Sequence, residues 1–255
     1  MKKESTCTGG YFLGSCYYKS GQPEEAIKAC EQAICIDPDN AKFHYFLGDC
    51  YSELGRSEEA IKACKQAIRI DPDNASAHYF LGSCYYKSGQ PEEAVKACEQ
   101  AIRIDPDNAR SHFLLGGCYD KLGQPEEAVK AFKQAIRIDP DDDANAHYFL
   151  GSCYSELGQP KEAVKACKQA VRINPDDARS HYFLGICYSE LGRPEDAIKA
   201  CKQAIRINPD FVYAHFNLGL CYFTLKNTGA AFEEYKILKN LDKDIANKLF
   251  NIMYE

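Results

Sequence analysis

The apolar positions of this chain fall into one pattern written seven times over. Residues 75–108, ASAHYFLGSCYYKSGQPEEAVKACEQAIRIDPDN, are its clearest copy. From Ala75 to Ser88 apolar side chains recur at helical spacing, and Gly89 follows where the chain must turn left-handed to leave a helix. Gln90-Pro91-Glu92-Glu93 then opens a second helix. Its proline sits in the first turn, where an N–H would go unbonded, and its acids sit at the positive end of the helix dipole. Asp105-Pro106 stops that helix after Ile104, and Asn108 is placed to cap the first helix of the next copy. Each copy predicts a helical hairpin.

The copies register on a leucine–glycine pair at residues 13, 47, 81, 115, 150, 184 and 218, a spacing of 34 broken once by 35. The extra residue lies in DPDDDA and is assigned to Asp143, in a turn. A leader, 1–6, precedes repeats at 7–40, 41–74, 75–108, 109–143, 144–177, 178–211 and 212–245, followed by residues 246–255. A fixed period of this size means stacked supersecondary units, none of which buries its apolar face alone. The first copy carries Gly9 and Gly10 at its front, so its first helix is expected to fray. In the last, Lys226 replaces the usual glycine. Beyond it Ile245, Leu249, Ile252 and Met253 make one apolar stripe, which predicts a capping helix over 246–255.

The repeat resembles the tetratricopeptide repeat, TPR. That family's motif places large residues at positions 4, 7 and 11, small ones at 8, 20 and 27, and proline at 32, which here are His78, Leu81 and Tyr85, Gly82, Ala94 and Ala101, and Pro106. The likeness covers residues 7–245. It departs from the motif at position 4, histidine instead of tryptophan, and at position 24, cysteine except for Phe132 and Tyr235. The resemblance implies an all-α fold: a right-handed superhelical solenoid of about seven TPR helical hairpins plus a C-terminal capping helix. It also implies a scaffold that binds a peptide or helix of a partner protein in a concave groove.

At about 100° per residue, positions 3, 4, 7, 8, 10, 11 and 14 of the first helix gather on one side, the core. Positions 2, 5, 9, 12 and 13 gather opposite, on the side that the TPR resemblance assigns to the groove. Position 5 is aromatic throughout: Tyr11, Tyr45, Tyr79, Phe113, Tyr148, Tyr182 and Phe216. Around that ladder stand Asp49, Tyr86, Lys87, Lys121, Glu156 and Glu190, with Arg110 and Arg179 at position 2. Two readings stay open. The rings stack against a ligand, giving large contact area at low entropic cost, or they pack helix on helix between repeats. The carboxylate clamp by which some TPR proteins hold chaperone C-termini requires lysine at position 5 and asparagine at position 9. No window supplies it, so docking of that type is not expected.

Charge and cysteine content change little. A net charge of -6 gives no electrostatic reason to expect nucleic acid or an anionic membrane as partner. No run of about 18 apolar residues is present to span a bilayer, and a cytoplasmic location is expected. Of the 14 cysteines, seven fall at repeat position 10 and five at position 24, a regularity that reads as core packing in a reducing compartment. All six histidines fall at position 4, and Cys–His pairs fourteen residues apart suggest a metal- or thiol-binding alternative. The spacing argues against it: there is no CxxC, and each pair is two ligands short of a tetrahedral site. No cofactor, metal site or catalytic residue is expected. Cys7 and Cys35 are the expected accessible thiols. A third reading is a self-assembling solenoid, a homo-oligomer joined through its terminal repeats.

Overall fold

Turn residues set the helix limits. Before the helix Ala75–Lys87, the Asn74 side chain accepts from the N–H of Ala77 at 3.0 Å while its amide donates to Asp71 Oδ2 at 2.9 Å. After it, Gly89 takes φ 75°, and the N–H groups of Gln90 and Gly89 reach back to the carbonyls of Tyr85 (2.9 Å) and Tyr86 (3.3 Å). This paired closure satisfies carbonyls that the helix end would otherwise leave open, and it needs a residue that tolerates positive φ. Pro91 then begins the second helix of the hairpin. Nε2–H of His78 donates to the Pro72 carbonyl at 3.0 Å and ties the helix to the turn before it. His44, His112, His181 and His215 repeat that bond at 2.8, 3.0, 2.9 and 2.8 Å.

The computed structural model describes residues 17–18, 20–140 and 144–254. The leader, Cys7, Gly9, Gly10, Tyr11 and Asp143 lie outside the described residues. The chain divides into two compact units, residues 1–138 and 139–255. The first holds α1 (Pro23–Ile36), α2 (Ala41–Glu53), α3 (Ser57–Ile70), α4 (Ala75–Lys87), α5 (Pro91–Ile104), α6 (Ala109–Lys121) and α7 (Pro125–Ile138). The second holds α8 (Ala144–Glu156), α9 (Pro160–Ile173), α10 (Ala178–Glu190), α11 (Pro194–Ile207), α12 (Val212–Thr224), α13 (Thr228–Leu241) and α14 (Lys243–Tyr254). Among the described residues there is no strand, and the fold is the all-α stack of hairpins that the repeat predicts.

Small residues bring the paired helices together. A Cβ placed on Gly48 would lie 2.5 Å from Cys64 Sγ and 2.9 Å from the Ala60 carbonyl, so α2 and α3 approach to a distance that only glycine allows. Ala60, Ala67, Ala94 and Ala101 are wholly buried at the same contacts, and the position-24 cysteines fill the space that the alanines leave. Phe132 does so in the fourth repeat, its ring lying against Gly116.

The C-terminal helix starts three residues before the expected 246. Asp242 alone separates it from α13, and its carboxylate accepts from the N–H groups of Asp244 (3.0 Å) and Ile245 (3.1 Å), an N-cap that sets the start at Lys243. Leu249 is fully buried with Leu238 and Ala246, and Ile245 and Met253 pack at the edge of that cluster. Ile252 departs from the predicted stripe: it is 49% exposed, because Ala246 rather than Ile252 completes the buried side.

Candidate binding face

In each unit the face is built by the first helices of the described hairpins. In the first unit α2, α4 and α6 contribute Tyr45, Asp49, Tyr79, Tyr86, Lys87, Arg110, Phe113 and Lys121; in the second α8, α10 and α12 contribute Tyr148, Glu156, Arg179, Tyr182, Glu190 and Phe216. The described position-5 rings, Tyr45, Tyr79, Phe113, Tyr148, Tyr182 and Phe216, are all half-buried. Tyr45 stacks on Phe80 of the next repeat, centroids 5.0 Å apart and planes 10° apart. Tyr148 packs on Phe183 in the same relation at 5.2 Å, and Tyr182 on Phe211 at 5.1 Å. Tyr79 meets Phe80 edge-on at 5.2 Å, and Phe113 lies 5.6 Å from Phe132. One side of each of these rings is therefore committed to helix packing.

The polar residues also join repeat to repeat. Lys87 pairs with Glu53, one repeat earlier. Burial favours its neutral amine, but the hydrogen bond and charge of Glu53 outweigh burial and hold its pKa above the usual lysine value. Lys121 Nζ lies 3.8 Å from the Tyr86 ring centroid and donates to the Tyr86 carbonyl at 3.2 Å. In the second unit Ser155 Oγ donates to Glu190 Oε2 at 2.6 Å. These contacts join neighbouring first helices, so part of the charge expected to face a ligand instead faces the next repeat.

Two predicted residues sit elsewhere than the helical wheel puts them. Asp49 is buried, because Tyr18 of the preceding hairpin covers it and donates to its carboxylate. Burial raises the Asp49 carboxyl, against the lowering effects of Tyr18 and Lys87. Phe216 packs into the Leu238, Ala246 and Leu249 cluster, covered by the C-terminal helix. Arg110, Lys121, Glu156, Arg179 and Glu190 are exposed as expected.

One constellation occurs in both units. Burial pushes the Tyr79 phenol up and the charge of Arg110 pulls it down. Tyr148 and Arg179 repeat that balance. The tyrosine stands at position 5 and the arginine at position 2 of the next repeat. Arg179 also touches Asp177 Oδ1 at 3.3 Å, yet its side chain stays 68% exposed.

Sequence reasoning missed the position-6 partners Phe80 and Phe183, Tyr18, Ser155, and a cavity of about 470 Å³ between α1 and α3. The cavity meets α2 through His44, Leu47 and Tyr51, on the side away from the position-5 ring, and Cys35 lines it as an exposed thiol. The cysteines contact other cysteines rather than the histidines: Cys64 and Cys84 lie 3.8 Å apart, Cys167 and Cys187 3.7 Å. Among the described residues no group of three or more His, Cys, Asp or Glu side chains could hold a metal ion, and no helix is long and apolar enough to cross a membrane.

Hairpins stacked through small residues, with the first helices of each unit lying side by side, define an α-helical repeat protein of the solenoid class. The chain belongs to the tetratricopeptide repeat family. A tetratricopeptide repeat model matches residues 17–64, 87–153 and 121–187, and further TPR models match 48–89, 178–211 and 200–233. Proteins of this family are generally non-catalytic scaffolds that bind protein or peptide partners. Among solved structures, MamA is 27% identical with a TM-score of 0.62, over 66% of this chain and 97% of that one. YrrB, a TPR protein with an unusual peptide-binding site, is 26% identical with a TM-score of 0.61, over 74% and 96%. PilF of Pseudomonas aeruginosa shares the fold, with 18% identity and a TM-score of 0.74 over 84% and 97%. No curated protein matches the chain.

Proposed function

We propose that this protein is a non-enzymatic, cytoplasmic scaffold that holds an extended peptide or helix of a partner protein along its first helices. The observation that carries this reading is the repeated pair Tyr79–Arg110 and Tyr148–Arg179. Each sets a half-buried ring within electrostatic reach of an exposed guanidinium, combining a surface for an apolar side chain with a donor fork for a carboxylate. The segment it fits has acidic residues flanking apolar ones. Tyr86 and Lys121 add a second ring and cation in the first unit, and the peptide-binding site of YrrB supports the same class of ligand.

The rings also carry packing, so the arginines give the cleaner test. A peptide selected from a random library on the intact chain is titrated against Arg110→Ala, Arg179→Ala and the double variant. The expected result is at least a tenfold loss of affinity in the double variant, with melting temperature unchanged within about 2 °C. Unaltered affinity sinks the proposal.

A second reading, self-association, is favoured by Ile252 and Tyr254, which are 49% and 62% exposed on α14. Sedimentation of the chain against Ile252→Glu tests it. A monomer at micromolar concentration without the substitution removes this reading.

A further inference from the structure

Cysteine recurs on both sides of a hairpin junction, at position 24 of one repeat and position 10 of the next, twenty residues on. Cys64 and Cys84 bring their sulfurs to 3.8 Å and Cys167 and Cys187 to 3.7 Å, van der Waals contact, with all four side chains buried. Cys30 with Cys50 and Cys98 with Cys118 occupy the same two repeat positions, and the side chain of Cys30 acts on the Cys50 thiol as that of Cys118 acts on Cys98. At the last junction the contact is diverted: Cys221 meets Ser189 Oγ at 3.3 Å and Cys201 accepts from Asn217 Nδ2 at 3.6 Å.

We propose that these four cysteine pairs, two of them in direct sulfur contact, are peroxide-oxidisable dithiols that close into disulfides, stapling the second helix of one hairpin to the first helix of the next. Closing a pair requires the sulfurs to move from van der Waals contact to about 2.05 Å. The product is neutral and apolar, which suits a buried junction; a bis-thiolate metal complex would bury charge there. At Cys64–Cys84 and Cys98–Cys118 the two roles differ. The S–H of Cys64 stabilises the Cys84 thiolate and lowers its pKa, with Ser52 and the charge of Lys87 adding to the effect; Cys98 and the charge of Lys121 act likewise on Cys118. The lowered thiol is the nucleophile. It attacks one peroxide oxygen, giving a sulfenic acid and hydroxide. The second thiol then displaces the sulfenic oxygen as hydroxide. The two protons from the thiols convert both hydroxides to water, so one hydrogen peroxide is reduced by two electrons per disulfide formed. A small neutral oxidant reaches the junction during local opening of a hairpin.

The test treats the reduced, intact chain with hydrogen peroxide, blocks remaining thiols after unfolding, and maps disulfides by mass spectrometry without reductant. Cys64–Cys84 and Cys98–Cys118 are expected as cross-linked peptides, with a rise of several degrees in melting temperature that dithiothreitol reverses. Cys84→Ala should abolish the link at Cys64 and leave Cys98–Cys118 intact. The proposal fails if peroxide consumes exposed Cys35 while the paired thiols are all recovered blocked. It also fails if Cys64 in the Cys84→Ala protein links elsewhere at undiminished yield, the mark of scrambling in unfolded chains.

Discussion

Buried His215 pairs with partly buried Glu234, Nδ1 to Oε2 at 2.6 Å, with His215 Nε2 donating to the Pro209 carbonyl at 2.8 Å. Glu234 stands where the other repeats have alanine, at Ala29, Ala63, Ala97, Ala131, Ala166 and Ala200. With an acceptor at each ring nitrogen the imidazole is held as the cation. Burial alone would lower its pKa, but the hydrogen bonds to Glu234 and Pro209 and the charges of Glu234 and Asp210 outweigh burial and raise it above 6.5. A raised histidine pKa contributes stability that is complete below the unfolded value and lost as pH climbs through the folded one. Resistance of the α12–α14 region to urea should therefore fall as pH rises above 6.5, with a slope of up to about 1.4 kcal/mol per pH unit. Glu234→Ala should flatten that slope; an unchanged profile would show that the pair does not titrate with folding.

Lys226 occupies the turn position that Gly55, Gly89, Gly123, Gly158 and Gly192 fill elsewhere, and it has φ 59°. The closure bonds still form, Lys226 N–H to the Phe223 carbonyl at 2.8 Å and Asn227 N–H to Tyr222 at 2.9 Å. A non-glycine residue pays about 1–2 kcal/mol to sit in this left-handed region, part of which glycine returns as unfolded-state entropy. Lys226→Gly should stabilise α12 and α13 by about 0.5–1 kcal/mol, read as a higher urea midpoint at constant m-value. A lower midpoint would mean that the lysine side chain contributes more than its backbone costs.

The helix limits were legible because they are written in local backbone chemistry: Asn74, Gly89 and Pro91 act on their own neighbours. The binding face was legible only as one helix seen alone. A helical wheel places Asp49 outward, yet Tyr18, a residue of the preceding hairpin, closes over it. Tyr45 and Phe80 are 35 positions apart and each looks like an unremarkable apolar residue, so their stacking follows from inter-repeat geometry that no single copy contains. The cap start was missed because repeat arithmetic runs on to residue 245, while the Asp242 carboxylate decides where the last helix begins.

Asp49 carries a buried carboxyl whose pKa is raised by burial, so its charged form is disfavoured in the folded protein. The sign is opposite to that of a salt-bridged acid: the folded state gains relative stability as pH falls toward the ordinary aspartate value. Asp49→Asn keeps the shape and still accepts from the Tyr18 hydroxyl while removing the buried charge. It should leave stability at pH 7 unchanged or raise it by up to about 1 kcal/mol. A loss above about 2 kcal/mol in thermal denaturation would show that attraction to Lys87 exceeds the cost of burial.

Leu249 is fully buried and fits where Gly219 leaves room: a Cβ on that glycine would lie 2.6 Å from Leu249 Cδ2. It is the apolar plug by which α14 covers the last hairpin, together with Leu238 and Ala246. Leu249→Ala removes that plug and leaves a void lined by α12 and α13, a change that costs about 2–5 kcal/mol where the site relaxes poorly. In a stack whose elements contact only their neighbours the loss should stay local. Hydrogen exchange should show faster amide exchange in α12, α13 and α14, with protection in α2–α7 unchanged. Uniform loss of protection along the chain would mean that the array unfolds as one cooperative block and that the cap stabilises all of it.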